Sequence, residues 1–142
     1  MRILLLNGPN LNLLGKREPE VYGTTDFQQF YEELAAVYDD VASFHYEQNN
    51  VEGELINILQ AADNDFDAVI FNAGGYTHTS VAIADCIAAI SIPVVEVHIS
   101  QPAAREEYRH NSLIAGKCVA SISGFGLDSY RLAVEGLLAR ED

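Results

Sequence analysis

The sequence predicts an α/β fold, a five-stranded parallel sheet with helices on both faces. Two observations predict it: short apolar or β-branched runs recur along the chain, and the stretches between them carry helical rather than alternating periodicity. The chain has 142 residues, enough for one domain spanning residues 1–142, and its 49% hydrophobic content suffices for a core.

The first strand runs from Ile3 to Asn7 and ends at the turn signal Asn7-Gly8-Pro9-Asn10. Leu11 to Thr25 shows no clear period and is longer than loops in compact domains usually are, so it reads as a lid or binding loop. A helix follows over Asp26 to Tyr38, then a strand over Ala42 to Glu47. The next helix, Val51 to Asp63, carries the stripe Leu55, Ile58, Leu59 and Ala62. Ala68 to Asn72 is the third strand, Ser80 to Ile90 a helix, and Val94 to Ile99 the fourth strand. A short helical piece around Ala104 to Arg109 precedes the last strand, Val119 to Ser123, and the last helix, Leu127 to Arg140. No repeat or linker composition interrupts the pattern.

Aspartate and glutamate number 21 against 8 lysine plus arginine, a net charge of −13. Phosphate contacts need a basic face, so a nucleic-acid partner is not expected. The N-terminal apolar run is too short for a signal peptide or a membrane span, which makes the cytoplasm the expected location. Cys86 and Cys118 lack the short spacing of a zinc or redox motif and read as buried thiols.

In open α/β sheets ligands bind beyond the carboxyl ends of the strands, where strand order reverses. Three polar clusters would meet there: Asn7 to Asn10, Asn72 to His78, and Glu96 to Ser100. Familiar motifs do not explain them. Gly8 and Gly15-Lys16 are spaced wrongly for a phosphate loop, and Gly74-Gly75 and Gly124-Phe125-Gly126 read as tight strand-to-helix turns rather than a dinucleotide fingerprint. A nucleophile elbow is missing, and His45, His78, His98 and His110 lack metal-ligand spacing, so no catalytic metal is expected.

Four of the eight basic residues fall in two places, Lys16 with Arg17 and Arg105 with Arg109. They suit an anionic ligand at the rim, or equally surface pairs with Glu18, Glu106 and Glu107. Glu96 and His98 lie two apart on a strand, so their side chains leave the same face; the carboxylate can fix the imidazole tautomer and favour the protonated, proton-donating form. Ser100 continues that face, and the backbone of Ile99 and Ser100 could bind a carboxylate. Tyr22 could act as a base only as phenolate. Moving its pKa from about 10 toward 7 takes roughly 4 kcal/mol, for which the guanidinium of Arg17 is the natural source.

These segments resemble the type II 3-dehydroquinate dehydratases over nearly the full length. The resemblance rests on Asn7-Gly8-Pro9-Asn10-Leu11-Asn12, Arg17-Glu18-Pro19, Tyr22-Gly23, Gln48 with Asn50, Glu52-Gly53-Glu54-Leu55, Asn72-Ala73-Gly74-Gly75, Thr77-His78-Thr79-Ser80, Glu96 to Ser100, Ala104 to Glu107, and Arg109-His110. It implies a flavodoxin-like fold and a cofactor-independent lyase that converts 3-dehydroquinate to 3-dehydroshikimate through an enolate. It also implies roles: Tyr22 as base with Arg17 lowering its pKa, Asn10 holding the water at the enolate oxygen, and His98 oriented by Glu96 as acid. Asn72 would sit beside His98, Ile99 and Ser100 would hold the substrate carboxylate, and His78 and Arg109 the ring hydroxyls. A dodecamer built from trimers is implied too, with Asp85 reaching a neighbouring subunit's site. Gln101-Pro102-Ala103, Asn49 and Val51 depart from the family pattern and put rim contacts and subunit packing in question. The other class of reading is a non-catalytic flavodoxin-like module binding a nucleotide or a protein, but its first loop lacks a hydroxyl-rich phosphate binder.

Overall fold

The structure, a computed structural model, describes residues 1–16, 20 and 26–140. Strands β1 (Arg2–Asn7), β2 (Ser43–Gln48), β3 (Ala68–Asn72), β4 (Val94–His98) and β5 (Ala120–Ser123) form one sheet in the order β2-β1-β3-β4-β5, every neighbouring pair parallel. Among the described residues the α-helices are α1 (Phe27–Val37), α2 (Glu52–Asp65), α3 (Val81–Ala89) and α4 (Asp128–Ala139). The order is that of the flavodoxin-like folds, with its reversal between β1 and β3.

The two-residue period of the strands divides the core. Ile3 and Leu5 of β1, Ile70 of β3 and Val97 of β4 pack with Phe27, Leu34, Tyr130 and Val134 from α1 and α4. Leu4, Leu6, Val69 and Phe71 point the other way, onto Leu55, Leu59, Ile83 and Ile87 from α2 and α3. Burial on both sides explains why β1 and β3 read as continuous apolar runs. Helix starts are fixed locally: the Asp26 carboxylate accepts from the Gln29 N–H at 2.8 Å, and Ser80 Oγ from the Ile83 N–H at 2.9 Å.

Strand and helix ends fall within two residues of those expected from the sequence. The short piece around Ala104 to Arg109 is corrected: it is not a helix but two 3₁₀ turns, Pro102–Ala104 and Glu107–Arg109. None of its residues is buried, so no apolar face stabilises a longer helix there. The connection from β4 to β5 therefore runs without an α-helix, and residues 111–118 cover the α3 side of the sheet by sinking Ile114 wholly into the core. Gly124 and Gly126, at φ of 93° and 63°, make the expected turn into α4. Both cysteines are free thiols; Cys86 is buried and Cys118 half-buried.

Candidate active site

Asn7 and Asn72 stand opposite each other at the ends of β1 and β3, which puts the polar turns after both strands on one rim, at the reversal point. The end of β4 completes the rim. The pocket there is lined by Pro9 and Leu11 from the first turn, Asn72, Gly74 and His78 from the second, and His98, Ile99, Ser100, Pro102, Arg105 and Arg109 from the β4 end and the turns beyond. Six residues expected from the sequence, Asn72, His78, His98, Ile99, Ser100 and Arg109, thus meet in one place.

Glu96 and His98 leave the same face of β4, and His98 Nε2 lies 2.5 Å from Glu96 Oε2. The carboxylate is nearly sealed from solvent. Burial alone would raise its pKa, but hydrogen bonds from His98, Ser112 and Ser121 and the charge of His98 together outweigh it and hold the carboxyl below the usual range. An ionised Glu96 can only accept, so the Nε2 proton of His98 is fixed toward it and Nδ1 is left for the pocket. The rings of His98 and His78 stack at 6.4 Å. His78 Nδ1 donates to the Asn111 carbonyl at 2.8 Å, which leaves Nε2 as its other functional nitrogen.

The two arginines supply the positive charge. Arg105 Nη1 reaches Ser100 Oγ at 3.3 Å, while Arg109 Nε pairs with Glu106 at 2.9 Å. Arg109 is thus ion-paired with Glu106 and also lines the pocket. Arg105, grouped with Arg109 in the sequence but given no specific role there, also lines the pocket.

Asn10 and Asp85 are not part of this lining. Asn10 is exposed at the tip of the first turn, at φ 71°, and donates its backbone N–H to Asn50 Oδ1 at 3.0 Å. Gln48 Nε2 braces the same turn through the Gly8 carbonyl at 3.1 Å and Asn50 Oδ1 at 3.0 Å. Asp85 is exposed on α3, away from the pocket lining. Arg17 and Tyr22 lie outside the described residues. Of the departing residues, Gln101 Oε1 accepts from Ser123 Oγ at 2.9 Å, tying the rim to β5.

A larger cleft of about 590 Å³ opens between β2 and α2, lined by Arg2, His45, Glu47 and Phe66 among others. Its His45–Glu47 contact, at 3.6 Å, is a poor acid–base pair because the side chains are 57% and 41% exposed, against 12% and 4% for His98 and Glu96. Among the described residues no three His, Cys, Asp or Glu side chains gather as a metal-ligand set.

Fold and rim together define a flavodoxin-like domain whose switch-point pocket joins a carboxylate-oriented imidazole to two guanidinium groups. The chain belongs to the class II dehydroquinase family, whose model matches residues 1–138. It is 53% identical over 138 residues to the 3-dehydroquinate dehydratase of Exiguobacterium sp., covering 97% of this chain and 94% of that protein. The 3-dehydroquinate dehydratase of Prochlorococcus marinus is 44% identical, with 98% and 97% covered. The crystal structure of type II dehydroquinase from Butyrivibrio crossotus superposes with a TM-score of 0.94 at 39% identity over 98% of each chain.

Proposed function

We propose that the chain is a type II 3-dehydroquinate dehydratase, a hydro-lyase that converts 3-dehydroquinate to 3-dehydroshikimate and water in the shikimate pathway or in quinate breakdown. The observation that carries the mechanism is the Glu96–His98 pair, opening onto a pocket shared with Ser100, Arg105 and Arg109. That pocket measures about 50 Å³, room for an anchoring group. The substrate carboxylate seats there against Ile99, Ser100 and the positive charge, and the ring rises over the rim past His78, Asn72 and Arg109.

The reaction needs a base beside the ketone, a stabiliser for the resulting oxyanion and an acid for the leaving hydroxyl. The Tyr22 phenolate, kept ionised by Arg17, removes the proton next to the carbonyl, and a water held by Asn10 steadies the enolate oxygen. As the enolate collapses, His98 Nδ1 gives its proton to the departing hydroxyl, which leaves as water, and Glu96 stabilises the imidazolium until that moment. The chemistry uses this chain's side chains and needs no cofactor. One catalytic domain spans the chain, and Asp85, exposed on α3 away from its own pocket, fits a role toward a neighbouring subunit in a dodecamer of trimers. No helix among the described residues is long and apolar enough to cross a membrane, in keeping with action in the cytoplasm on a small molecule.

The test follows enone absorbance in the ultraviolet with 3-dehydroquinate and a chelator present. The unaltered chain turns over; Tyr22→Phe and His98→Ala each lose most of the activity while staying folded. Full activity in either variant removes the role given to that residue, and tight nucleotide binding without turnover sinks the whole reading.

A further inference from the structure

We infer that Ser112 is a positioning residue for the acid, a fixed hydroxyl donor that locks Glu96 and, through it, the tautomer of His98. The inference rests on the proposed dehydratase reading for its kinetic consequence, though not for its geometry.

Glu96 uses both oxygens. Oε2 meets His98, while Oε1 lies 2.9 Å from Ser112 Oγ and 3.4 Å from Ser121 Oγ. Ser121 is the register partner of Glu96 on β5, so its weaker contact follows from the sheet. Ser112 comes from outside the sheet and is held differently. Its oxygen accepts the backbone N–H of Ile114 at 3.3 Å and that of Ala115 at 3.0 Å. A hydroxyl has two lone pairs and one proton. With both lone pairs occupied, the proton has one direction left, toward Glu96. A free serine would rotate; this one cannot.

The position of that hydroxyl is set by the core rather than by the rim. Ile114, two residues on, is fully buried, and the Leu113 N–H bonds the Thr77 carbonyl at 2.9 Å. The same short strap also presents the Asn111 carbonyl to His78 Nδ1. Residues 111–115 therefore determine the proton placement of both stacked histidines, one through a carbonyl and the other through Glu96, and they leave His78 Nε2 and His98 Nδ1 for the pocket. The titratable groups against Glu96 are His98 on β4 and Cys118 at the end of the strap, whose thiol is pushed up to about 12 by burial and then by the Glu96 charge. His98 faces Glu96 and His78, with Arg105 and Arg109 on the same pocket wall. Cys118 stays a neutral thiol, so beyond His98 the anionic form of Glu96 depends on its hydroxyl donors, chiefly Ser112.

The experiment compares Ser112→Ala, Ser112→Thr and Ser121→Ala with the unaltered chain, by steady-state kinetics across pH and by ¹⁵N resonances of the histidine rings without substrate. Ser112→Ala is expected to lower kcat about tenfold, the worth of one hydrogen bond to a charged group, with KM within about twofold because Ser112 does not line the pocket. Its low-pH limb moves upward as Glu96 becomes easier to protonate, and His98 shows mixed tautomers in place of one with the proton on Nε2. Ser112→Thr restores both readouts, and Ser121→Ala has the smaller effect. Ser112→Cys, which fills the same space with a poorer donor, takes the place of the alanine variant if that variant does not fold. A single His98 tautomer and an unmoved pH limb in the alanine or cysteine variant, even with a lower melting temperature, overturn the inference and leave Ser112 as scaffold. If the unaltered chain fails to turn over 3-dehydroquinate, the dehydratase reading falls while the ring resonances still decide this one.

Discussion

Asn72 Nδ2 donates to the hydroxyl of Tyr130 at 3.0 Å, a bond between a strand end in the pocket and a helix on the far side of the sheet. The hydroxyl in turn donates to Asn7 Oδ1 at 2.7 Å, and Asn72 Oδ1 accepts from the Gly74 N–H at 3.1 Å. Burial pushes the phenol well above its ordinary pKa, with Asn72 pulling weakly the other way, so it stays protonated and available as a donor at working pH. One face of the Asn72 amide is thereby committed to the scaffold and the other is presented to the pocket.

Tyr130→Phe keeps the ring packed and removes only the hydroxyl, leaving Asn7 Oδ1 and one N–H of Asn72 unsatisfied in the core. The expected loss is about 1–3 kcal/mol, read as a drop of several degrees in Tm. Held through the Gly74 N–H alone, the Asn72 amide serves the substrate less well, and KM should rise by several-fold while kcat changes less. An unchanged KM would show that the amide is held without Tyr130.

Gly8 is required by proximity rather than by a special backbone angle. A Cβ there would lie 2.6 Å from the Ala73 carbonyl oxygen and 2.8 Å from its carbon, both backbone atoms that no rotamer change can move aside. Gly8→Ala should force apart the turns after β1 and β3, at a cost of about 1–3 kcal/mol or more, and should lower activity with stability because both turns carry the pocket. Gly75→Ala is the control. No heavy atom lies within 4 Å of its added Cβ, so Tm should stay nearly unchanged in thermal unfolding.

The fold was legible because periodicity states it: β1 and β3 are buried on both faces and read as apolar runs, and α2 carries the stripe Leu55, Ile58, Leu59 and Ala62. The Glu96–His98 pair was legible for the same reason, since two residues on a strand always share a face. Ser112 against Glu96 was not, because the contact depends on how a segment without regular period returns across β4. Tyr130 against Asn72 spans 58 positions and follows only from the packing of α4. At Ala104 to Arg109 the spacing suited a helix but supplied no face to bury. Arg17 and Tyr22 were reached through chemistry and family resemblance, not through pattern.

Glu106 holds Arg109 at the edge of the pocket. Its carboxyl accepts from Arg109 Nε at 2.9 Å and from the Tyr108 hydroxyl, bonds that pull its pKa down to about 2. The carboxylate therefore stays ionised at any pH at which the protein works, and the guanidinium stays anchored. Glu106→Gln should leave Tm within about a degree, since exposed ion pairs contribute little to stability. It should raise KM for an anionic substrate several-fold with kcat nearly constant, because an unanchored Arg109 must be ordered on binding. Steady-state kinetics at two salt concentrations checks this, and a fall in kcat alone would place Arg109 in the chemical step instead.

The lowered pKa of Glu96 also makes a statement about stability and pH. A carboxyl whose folded pKa lies below its unfolded value, about 4.3 for glutamate, binds its proton more readily in the unfolded chain. The stability it contributes is complete above the unfolded value and is lost as pH falls through the folded one. Glu96→Gln removes this dependence while keeping the size of the side chain. Denaturant unfolding of both proteins should show the unaltered chain more stable near pH 7, with the gap narrowing steadily below about pH 4.3. A gap that instead widens as pH falls from about 7 toward 4.3 would mean that Glu96 is neutral in the folded protein, and a neutral carboxyl could not hold the imidazolium that the acid step requires.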